Sequence, residues 1–230
     1  MHEKLKEYVT AAKKIVFLGG AGVSTESGIP DFRGGGIQSE IPFETILSHD
    51  YLLRRPREFY DFYKSHMLWP NAAPNAAHKT LARLEAEGKL IAVITQNIDG
   101  LHQKAGSKNV IELHGTVERN YCVRCGKEYS LDYILKSEGV PVCSCGAMVR
   151  PDVVMYGEGL SDKNISDAIS AIRAADLMII GGTSLVVYPA AGLVRYFNGN
   201  RLVIINMSPT QHDKNADLLI AQPIGQALGD

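Results

Sequence analysis

Short, mostly apolar runs alternate with longer amphipathic stretches along most of this sequence. The apolar runs have the length of strands and contain many β-branched residues; they are residues 15–18, 90–94, 110–113, 153–156, 177–180, 202–206 and 218–220. Such runs are typical of strands buried on both faces, as in parallel sheets. The intervening stretches repeat their apolar residues at helical spacing, beginning with Leu5, Tyr8, Val9 and Ala12. The alternation predicts an α/β fold with a doubly wound, parallel, Rossmann-like sheet.

Two segments depart from this alternation and predict a small inserted domain. Residues 42–67 carry aromatic and leucine side chains at helical spacing, which most often serve packing, and they predict a helical module. Asn75 then begins a connecting helix that ends at Gly88, and we expect a structural role for His78 in its first turn. The second segment contains all four cysteines of the chain.

The cysteines form two close pairs, Cys122 with Cys125 and Cys143 with Cys145, with seventeen residues between the pairs. This arrangement is typical of a tetrahedral Zn²⁺ site with four thiolate ligands. Disulfides are the alternative, but the sequence opens on charged residues rather than a signal peptide, and cytosolic cysteines are rarely oxidised. A zinc ribbon can also bind nucleic acid, although the charges between the pairs are mixed in sign. We therefore predict one structural zinc ion.

The turn after the first apolar run predicts a phosphate site. Gly20 and Gly22 follow the strand, and glycines there let backbone N–H groups approach a phosphate closely. Ser24 and Thr25 could add hydroxyl donors. The spacing is not that of the dehydrogenase fingerprint, because the next glycine is Gly28.

Polar residues also follow three later strands of the predicted sheet. Residues 95–99 follow the second strand, His114 follows the third, and residues 181–184 follow the strand at 177–180. Open α/β sheets bind their ligands at the carboxyl ends of the strands. The sequence therefore predicts that these residues share one active site with the glycine-rich turn.

The composition restricts the class of protein. A chain of 230 residues fits one medium domain, or a large domain with a small insertion. The net charge of −1 gives no general attraction to nucleic acid or to anionic membranes. The longest apolar run, residues 177–194, is interrupted by glycine and proline, which favours a strand, a loop and a helix over a membrane span. We expect a cytoplasmic protein.

Residues 27–33, Ser-Gly-Ile-Pro-Asp-Phe-Arg, are more specific than a phosphate-binding turn requires. With them go the cysteine pairs and three further motifs, Thr95-Gln96-Asn97-Ile98-Asp99, Glu112-Leu113-His114-Gly115 and Gly182-Thr183-Ser184. In these motifs the sequence resembles the sirtuins, the NAD-dependent protein lysine deacylases, over nearly its whole length. The resemblance implies a single sirtuin domain over 1–230. Its Rossmann-like part would be 1–35, 89–118 and 149–230, its helical module and connecting helix 36–88, and its zinc ribbon 119–148.

The resemblance implies an NAD-dependent protein-lysine deacetylase that transfers the acetyl group of acetyl-lysine to ADP-ribose and releases nicotinamide. NAD would be its co-substrate, and one Zn²⁺ would be structural. Its expected partners are acetylated-lysine proteins or peptides, with no membrane and no direct nucleic-acid binding. Two alternatives stay open, which are a mono-ADP-ribosyltransferase and a non-catalytic NAD-binding or zinc-ribbon interaction protein.

The matching motifs also imply roles for individual residues. His114 would be the general base, since imidazole titrates near neutral pH, and Asn97 and Asp99 would orient the ribose and the nicotinamide carboxamide. The implied cofactor-binding residues are Gly20, Ala21, Gly22, Thr25, Phe32, Arg33, Gln96, Ile98, Asp99, Gly182, Thr183, Ser184, Asn206 and Ile224. The implied substrate residues are Val154 in the acyl-lysine channel and, in extended edges that pair with the peptide backbone, Gly157, Glu158, Val186, Val187 and Tyr188. The implied metal ligands are Cys122, Cys125, Cys143 and Cys145.

The same resemblance predicts which acyl group is removed. Sirtuins that prefer succinyl- or malonyl-lysine carry a Tyr-x-x-Arg pair in the helical module, and the arginine meets the acyl carboxylate. Here Tyr60 is present, but Tyr63 takes the place of the arginine and Lys64 follows it. A carboxylate in an apolar channel needs a charged partner, so the sequence predicts a preference for neutral acyl groups, acetyl first.

Overall fold

The computed structural model describes residues 1–31 and 41–229. Its strands are β1 (Ile15–Gly19), β2 (Leu90–Thr95), β3 (Val110–Glu112), β4 (Gly115–Cys122), β5 (Glu128–Ser130), β6 (Val149–Val153), β7 (Leu177–Gly181), β8 (Arg201–Ile205) and β9 (Leu218–Ile220). Its α-helices are α1 (Glu3–Ala11), α2 (Phe43–Ile46), α3 (His49–Arg54), α4 (Pro56–His66), α5 (Ala76–Ala86), α6 (Leu101–Lys104), α7 (Leu131–Lys136), α8 (Asp162–Ala174) and α9 (Ile224–Leu228). The 3₁₀ segments are Ala21–Val23, Thr25–Ser27, Ala190–Tyr196 and Asp213–Asn215. None of the helices in this described part is long and apolar enough to cross a membrane.

The larger sheet is parallel, and within the described residues it has six strands in the order β3-β2-β1-β7-β8-β9. The chain fills one half of the sheet from β1 outwards to β3, then returns to the other side of β1 and fills β7 to β9. This is the strand order of doubly wound dinucleotide-binding folds, so the predicted fold class is confirmed. The order reverses between β1 and β7, and ligands of such sheets bind at the carboxyl ends of the strands beside the reversal.

The parallel sheet is covered on both faces. In β1, Ile15 and Phe17 pack into the apolar cluster under α1, α5 and α9, whereas Val16 and Leu18 pack into the cluster under α8 and the 3₁₀ helix Ala190–Tyr196. All five residues of β1 are buried. The apolar runs of the sequence therefore correspond to strands with no solvent-facing side, as their composition predicted.

A smaller antiparallel sheet, with the order β5-β4-β6, carries the cysteine segment. A third apolar cluster joins this sheet to helices α3 and α4; its fully buried members include Leu52, Phe59, Tyr60, Tyr63, Ile134 and Val149. The helical module and the zinc-ribbon sheet therefore share one core, although some fifty residues of sequence separate them.

The apolar character of residues 153–156 predicted a strand of the parallel sheet, and this prediction was wrong. Val153 ends β6 in the smaller sheet, and Tyr156 forms a single β-bridge with Ser48 of the helical module. The smaller sheet thus extends five residues beyond position 148, where the sequence placed the end of the zinc ribbon. An apolar run shows that a strand is buried but not which of two sheets accepts it.

The connecting helix α5 begins as predicted. The side chain of Asn75 accepts the N–H of Ala77 at 2.9 Å, and the Asn75 N–H donates to Nδ1 of His78 at 3.3 Å. His78 is fully buried and closes this capping box, which confirms its structural role.

Candidate active site

The glycine-rich turn after β1 packs against the turn after β7. A Cβ atom on Gly20 would lie 2.8 Å from Cβ of Thr183, and one on Gly22 would lie 2.8 Å from Cα of Gly182. The Gly22 N–H donates to the carbonyl of Gly182 at 2.8 Å. Gly182 also has a φ of +57°, which side-chain-bearing residues rarely adopt. The two backbones therefore meet at the reversal of strand order, where a dinucleotide would cross the sheet.

Ser24 connects two of the predicted catalytic residues. Its hydroxyl donates to Oδ2 of Asp99 at 2.6 Å and accepts from Nδ2 of Asn97 at 3.1 Å. Ser24 is buried, and its hydroxyl proton is donated to Asp99; a contact between this hydroxyl and a phosphate stays a prediction. The hydroxyl of Thr25 likewise donates to the carbonyl of Gly22 at 3.0 Å. The bonds of Ser24 fix the carboxylate of Asp99 and the amide of Asn97 against the glycine-rich turn.

His114 lies just beyond β3, beside the end of β2. Its Nδ1 is 2.9 Å from the carbonyl oxygen of Gln96. A carbonyl can only accept, so Nδ1 carries the proton and Nε2 is left as the basic nitrogen. Burial lowers the pKa of His114, and the bond to Gln96 opposes this effect. The imidazole is therefore neutral at pH 7 and able to take up a proton.

The side chain of Gln96 joins three strand ends. Its Nε2 donates to Oγ1 of Thr183 at 3.1 Å and to the carbonyl of Gly19 at 3.4 Å. The backbone carbonyl of Gln96 accepts from Nδ1 of His114, as described above. A continuous set of contacts therefore runs from His114 to the β7 turn, and brings together residues whose sequence positions differ by up to eighty-seven.

The other predicted cofactor residues within the described part lie around the same edge. Ala21 is in the turn after β1, Ile98 is between Asn97 and Asp99, Ser184 follows Thr183, and Asn206 follows β8. Nδ2 of Asn206 donates to the carbonyl of Ser208 at 2.7 Å. Ile224 is buried and packs over Gly181, so its side chain belongs to the core of the sheet. A contact between Ile224 and adenine stays a prediction.

The predicted substrate residues lie on two segments near His114 and Thr183. The Val154 N–H donates to the carbonyl of His114 at 2.9 Å, and Gly157 and Glu158 follow on the same segment. On the second segment Val187 is half-buried, whereas the side chains of Val186 and Tyr188 are 56% and 68% exposed. Large apolar side chains this exposed on one short segment fit a surface that contacts a peptide.

The four cysteines form one cluster. Their Sγ atoms all lie within 4.8 Å of one another, and none forms a disulfide. Backbone N–H groups point at the sulfurs, and that of Cys145 lowers the pKa of the Cys143 thiol to about 5. Four thiolates this close repel one another, so the cluster fits a cation, and a set of four sulfur ligands fits Zn²⁺. With four sulfur ligands the metal has no open position for water, which makes the site structural.

Two predicted cofactor residues, Phe32 and Arg33, lie outside the described residues, as does the glycine-rich segment 34–40. Nothing in the sequence indicated that Ser24 bridges Asn97 and Asp99, beyond its position two residues after Gly22. Arg150 and His49 were also missed, although both contact the carboxylate of Glu158. They lie on separate elements with no shared motif, so only the folded chain reveals the contact.

Known proteins resemble this chain in both sequence and structure. A model of the Sir2 family matches residues 20–189. The NAD-dependent protein deacetylase of Clostridium perfringens is 58% identical, and the alignment covers 98% of this chain and 96% of that protein. These matches are as extensive as the resemblance that the motifs carried.

Two solved structures share the fold along nearly the whole chain. One contains a Sir2 variant with a deacetylated p53 peptide and 3′-O-acetyl-ADP-ribose; it is 44% identical with a TM-score of 0.89, covering 99% of this chain and 96% of that one. The other contains Sir2 with a p53 peptide and NAD⁺; it is 44% identical with a TM-score of 0.87, covering 98% and 95%.

Proposed function

Because this chain belongs to the Sir2 family, we propose that it is an NAD-dependent protein-lysine deacetylase acting on acetylated-lysine proteins or peptides. When bound, NAD supplies the ADP-ribose that accepts the acetyl group, with nicotinamide as the leaving group. The observation that carries the proposal is the geometry of one sheet edge. There His114, Asn97 and Asp99 are held beside the glycine-rich turn by a connected set of hydrogen bonds.

Residues at the β1–β7 reversal would hold the dinucleotide. The backbones of Gly20, Gly22 and Gly182 approach one another without room for a Cβ atom, which suits a backbone surface presented to a diphosphate. Ala21, Thr25, Gln96, Thr183 and Ser184 surround this surface, and Asn206 would contact the adenosine. Phe32 and Arg33 would complete the site from the segment outside the described residues.

His114 would act as the general base through Nε2. The proton on Nδ1 is fixed by the Gln96 carbonyl, so the imidazole cannot turn its basic nitrogen away without losing that bond. Asn97 and Asp99 would orient the ribose and the nicotinamide carboxamide rather than transfer protons. The bonds of Ser24 to one polar atom of each support this role, because they limit the movement of both side chains. Ile98 lies between them and would contribute to the nicotinamide site.

The peptide would bind between the two exposed segments. Val154 would line the acyl-lysine channel next to His114. Gly157 and Glu158 on one side, and Val186, Val187 and Tyr188 on the other, would pair with the peptide backbone. Pairing through backbone groups tolerates many substrate sequences. A cytoplasmic location would suit free thiolates that bind zinc, since the reducing cytosol keeps cysteines from forming disulfides.

Mass spectrometry of an acetyl-lysine peptide, incubated with and without NAD, tests this function. We expect loss of acetyl from the peptide only with NAD, and one nicotinamide released for each acetyl group transferred. Nicotinamide release with ADP-ribose attached to the peptide would instead show a mono-ADP-ribosyltransferase. NAD binding without any turnover would show a non-catalytic protein.

A further inference from the structure

The segment from residue 154 to 158 is fixed by the two inserted parts of the molecule. Its Tyr156 N–H donates to the carbonyl of Leu47 at 3.1 Å, and the His49 N–H donates to the carbonyl of Tyr156 at 3.0 Å. Leu47 follows the end of α2 and His49 begins α3, so both partners belong to the helical module. One side of the segment is therefore attached to that module through its backbone.

The carboxylate of Glu158 makes the other attachments. Nη1 and Nη2 of Arg150 donate to its two oxygens at 2.6 and 2.9 Å, and the Met155 N–H donates at 2.9 Å. Nδ1 of His49 lies 2.7 Å from Oε1. Arg150, on β6, is only 9% exposed and also donates to the carbonyl of Val153 at 3.0 Å. One carboxylate thus joins the helical module, the zinc-ribbon sheet and its own segment.

This arrangement is stronger than an ordinary surface ion pair. The guanidinium of Arg150 meets the carboxylate in a bidentate geometry, which is among the strongest of side-chain interactions. Burial raises the pKa of Glu158, but the bonds from Arg150 and the Met155 amide outweigh it and lower the pKa to about 2. The carboxylate is therefore charged at pH 7, and its oxygens are occupied by donors of the protein itself.

We propose that Glu158 is a positioning residue for the acyl-peptide, whose side chain holds the backbone of residues 154–158 in the shape that pairs with the substrate. The inference rests on the proposed function, in which Gly157 and Glu158 offer backbone groups to the peptide. Since its oxygens are already engaged by Arg150, His49 and Met155, the carboxylate does not read charge on the substrate. Its loss should weaken binding of all peptides equally.

Glu158→Gln tests this, because glutamine keeps the shape and removes the charge. We expect the peptide KM to rise about tenfold, with KM for NAD and kcat near those of the wild type, since a charge-assisted bidentate contact is lost. Two acetyl-peptides, one with basic and one with neutral flanking residues, should show the same rise. A rise confined to the basic peptide would mean that Glu158 contacts substrate directly, and would overturn the proposal. Asp152→Asn is the matched control, because Asp152 is on β6 but pairs with Arg119.

Amide hydrogen exchange gives a readout that needs no activity. In Glu158→Gln the amides of Met155, Tyr156 and His49 should exchange at least about tenfold faster, while those of β1 and β7 stay unchanged. If that variant does not fold, His49→Ala, at a partly exposed position, should show the same pattern at a smaller amplitude. Unchanged exchange and unchanged peptide KM would overturn the inference with the function intact. A wild-type protein that removes no acetyl group would overturn the function, and amide exchange would still test whether Glu158 holds residues 154–158.

Discussion

The edge of the parallel sheet and the zinc ribbon both gather reactive side chains from distant parts of the chain, but they hold them differently. At the sheet edge, Ser24 bonds both Asn97 and Asp99, and Gln96 bonds Thr183. The strands beneath them are buried on both faces. In the ribbon, four thiols lie within 4.8 Å and cannot satisfy one another once ionised. The fold itself therefore prepares the first region, whereas a metal ion completes the second. We infer that the sheet edge carries out the catalysis and that the zinc ribbon has a structural role.

Loss of the metal should have the largest effect, and it should unfold one region while the other stays folded. Cys122→Ala, or removal of zinc by a chelator, should unfold the ribbon, because a structural zinc contributes roughly 10 kcal/mol to folding. Activity should disappear with it, while amide exchange in β1 and β7 stays slow. Ser144→Ala, between two ligands, should keep both metal and activity. Elemental analysis that finds no stoichiometric zinc in pure, active protein would contradict the assignment.

A substitution at the sheet edge should lower activity and leave the zinc ribbon folded. His114→Ala should lower kcat by about two orders of magnitude or more, the usual contribution of a positioned general base. NAD binding and zinc content should be retained, because the phosphate surface and the ribbon lie elsewhere. His66→Ala, in the helical module, is the control and should leave kcat unchanged. Near-normal deacetylation by His114→Ala would show that another group is the base.

The core shared by the helical module and the ribbon bears on acyl selectivity. Tyr63 is fully buried and neutral, and Nζ of Lys64 donates to Ser137 at the ribbon, 2.5 Å from its carbonyl oxygen. Neither side chain offers a charge to a succinyl carboxylate. An unpaired carboxylate in the channel would cost about 2–5 kcal/mol relative to a paired one. We expect kcat/KM for an acetyl-peptide to exceed that for its succinyl version by a factor of at least about thirty.

Comparison of the two acyl forms of one peptide measures this factor, and Tyr63→Arg should reduce it. Equal rates for the two forms in the wild type would show that the carboxylate has a cationic partner elsewhere.

Acid should destabilise the folded protein through two buried histidines. His78 and His102 lie ring against ring, 4.7 Å apart, and burial lowers their pKa values to about 4 and about 3. Their neutral forms are favoured in the folded protein, so their contribution is complete above pH 6.5 and is lost as pH falls from 6.5 towards 4. At pH 5 each costs about 2 kcal/mol. Urea unfolding at pH 7.5 and 5 measures the loss in the free energy of unfolding, and amide exchange in α5 locates it. His102→Phe should halve the difference in free energy between the two pH values. An unchanged difference in that variant would contradict the account.

The sequence predicted the sheet well because buried parallel strands have a distinctive composition. Ile15–Gly19 and Leu177–Gly181 could be located without any knowledge of their neighbours. The cysteine cluster was also predictable, since two close pairs leave few alternatives. The assignment of residues 153–156 to the parallel sheet was wrong, because an apolar run of this length is equally suited to either core.

Hydrogen-bond partners were the least predictable part of the site. Ser24 was expected to face a phosphate, yet its hydroxyl bonds Asp99, seventy-five residues away. Glu158 was expected to contribute only its backbone, yet its side chain joins three elements. Composition and spacing reveal which residues are near a strand end, but not the direction in which a polar side chain points once neighbouring strands are in place.

Replacing Zn²⁺ by Cd²⁺ in the folded protein tests most directly whether chemistry and architecture are divided as we infer. Cd²⁺ also binds thiolates, but its larger size would alter any chemistry at a catalytic metal. If the metal only holds the ribbon, kcat for an acetyl-peptide should stay within about twofold of the zinc form, with unchanged amide exchange in the ribbon. A change in kcat of tenfold or more, on the order of 1.4 kcal/mol in the barrier, with the ribbon still folded would contradict that division.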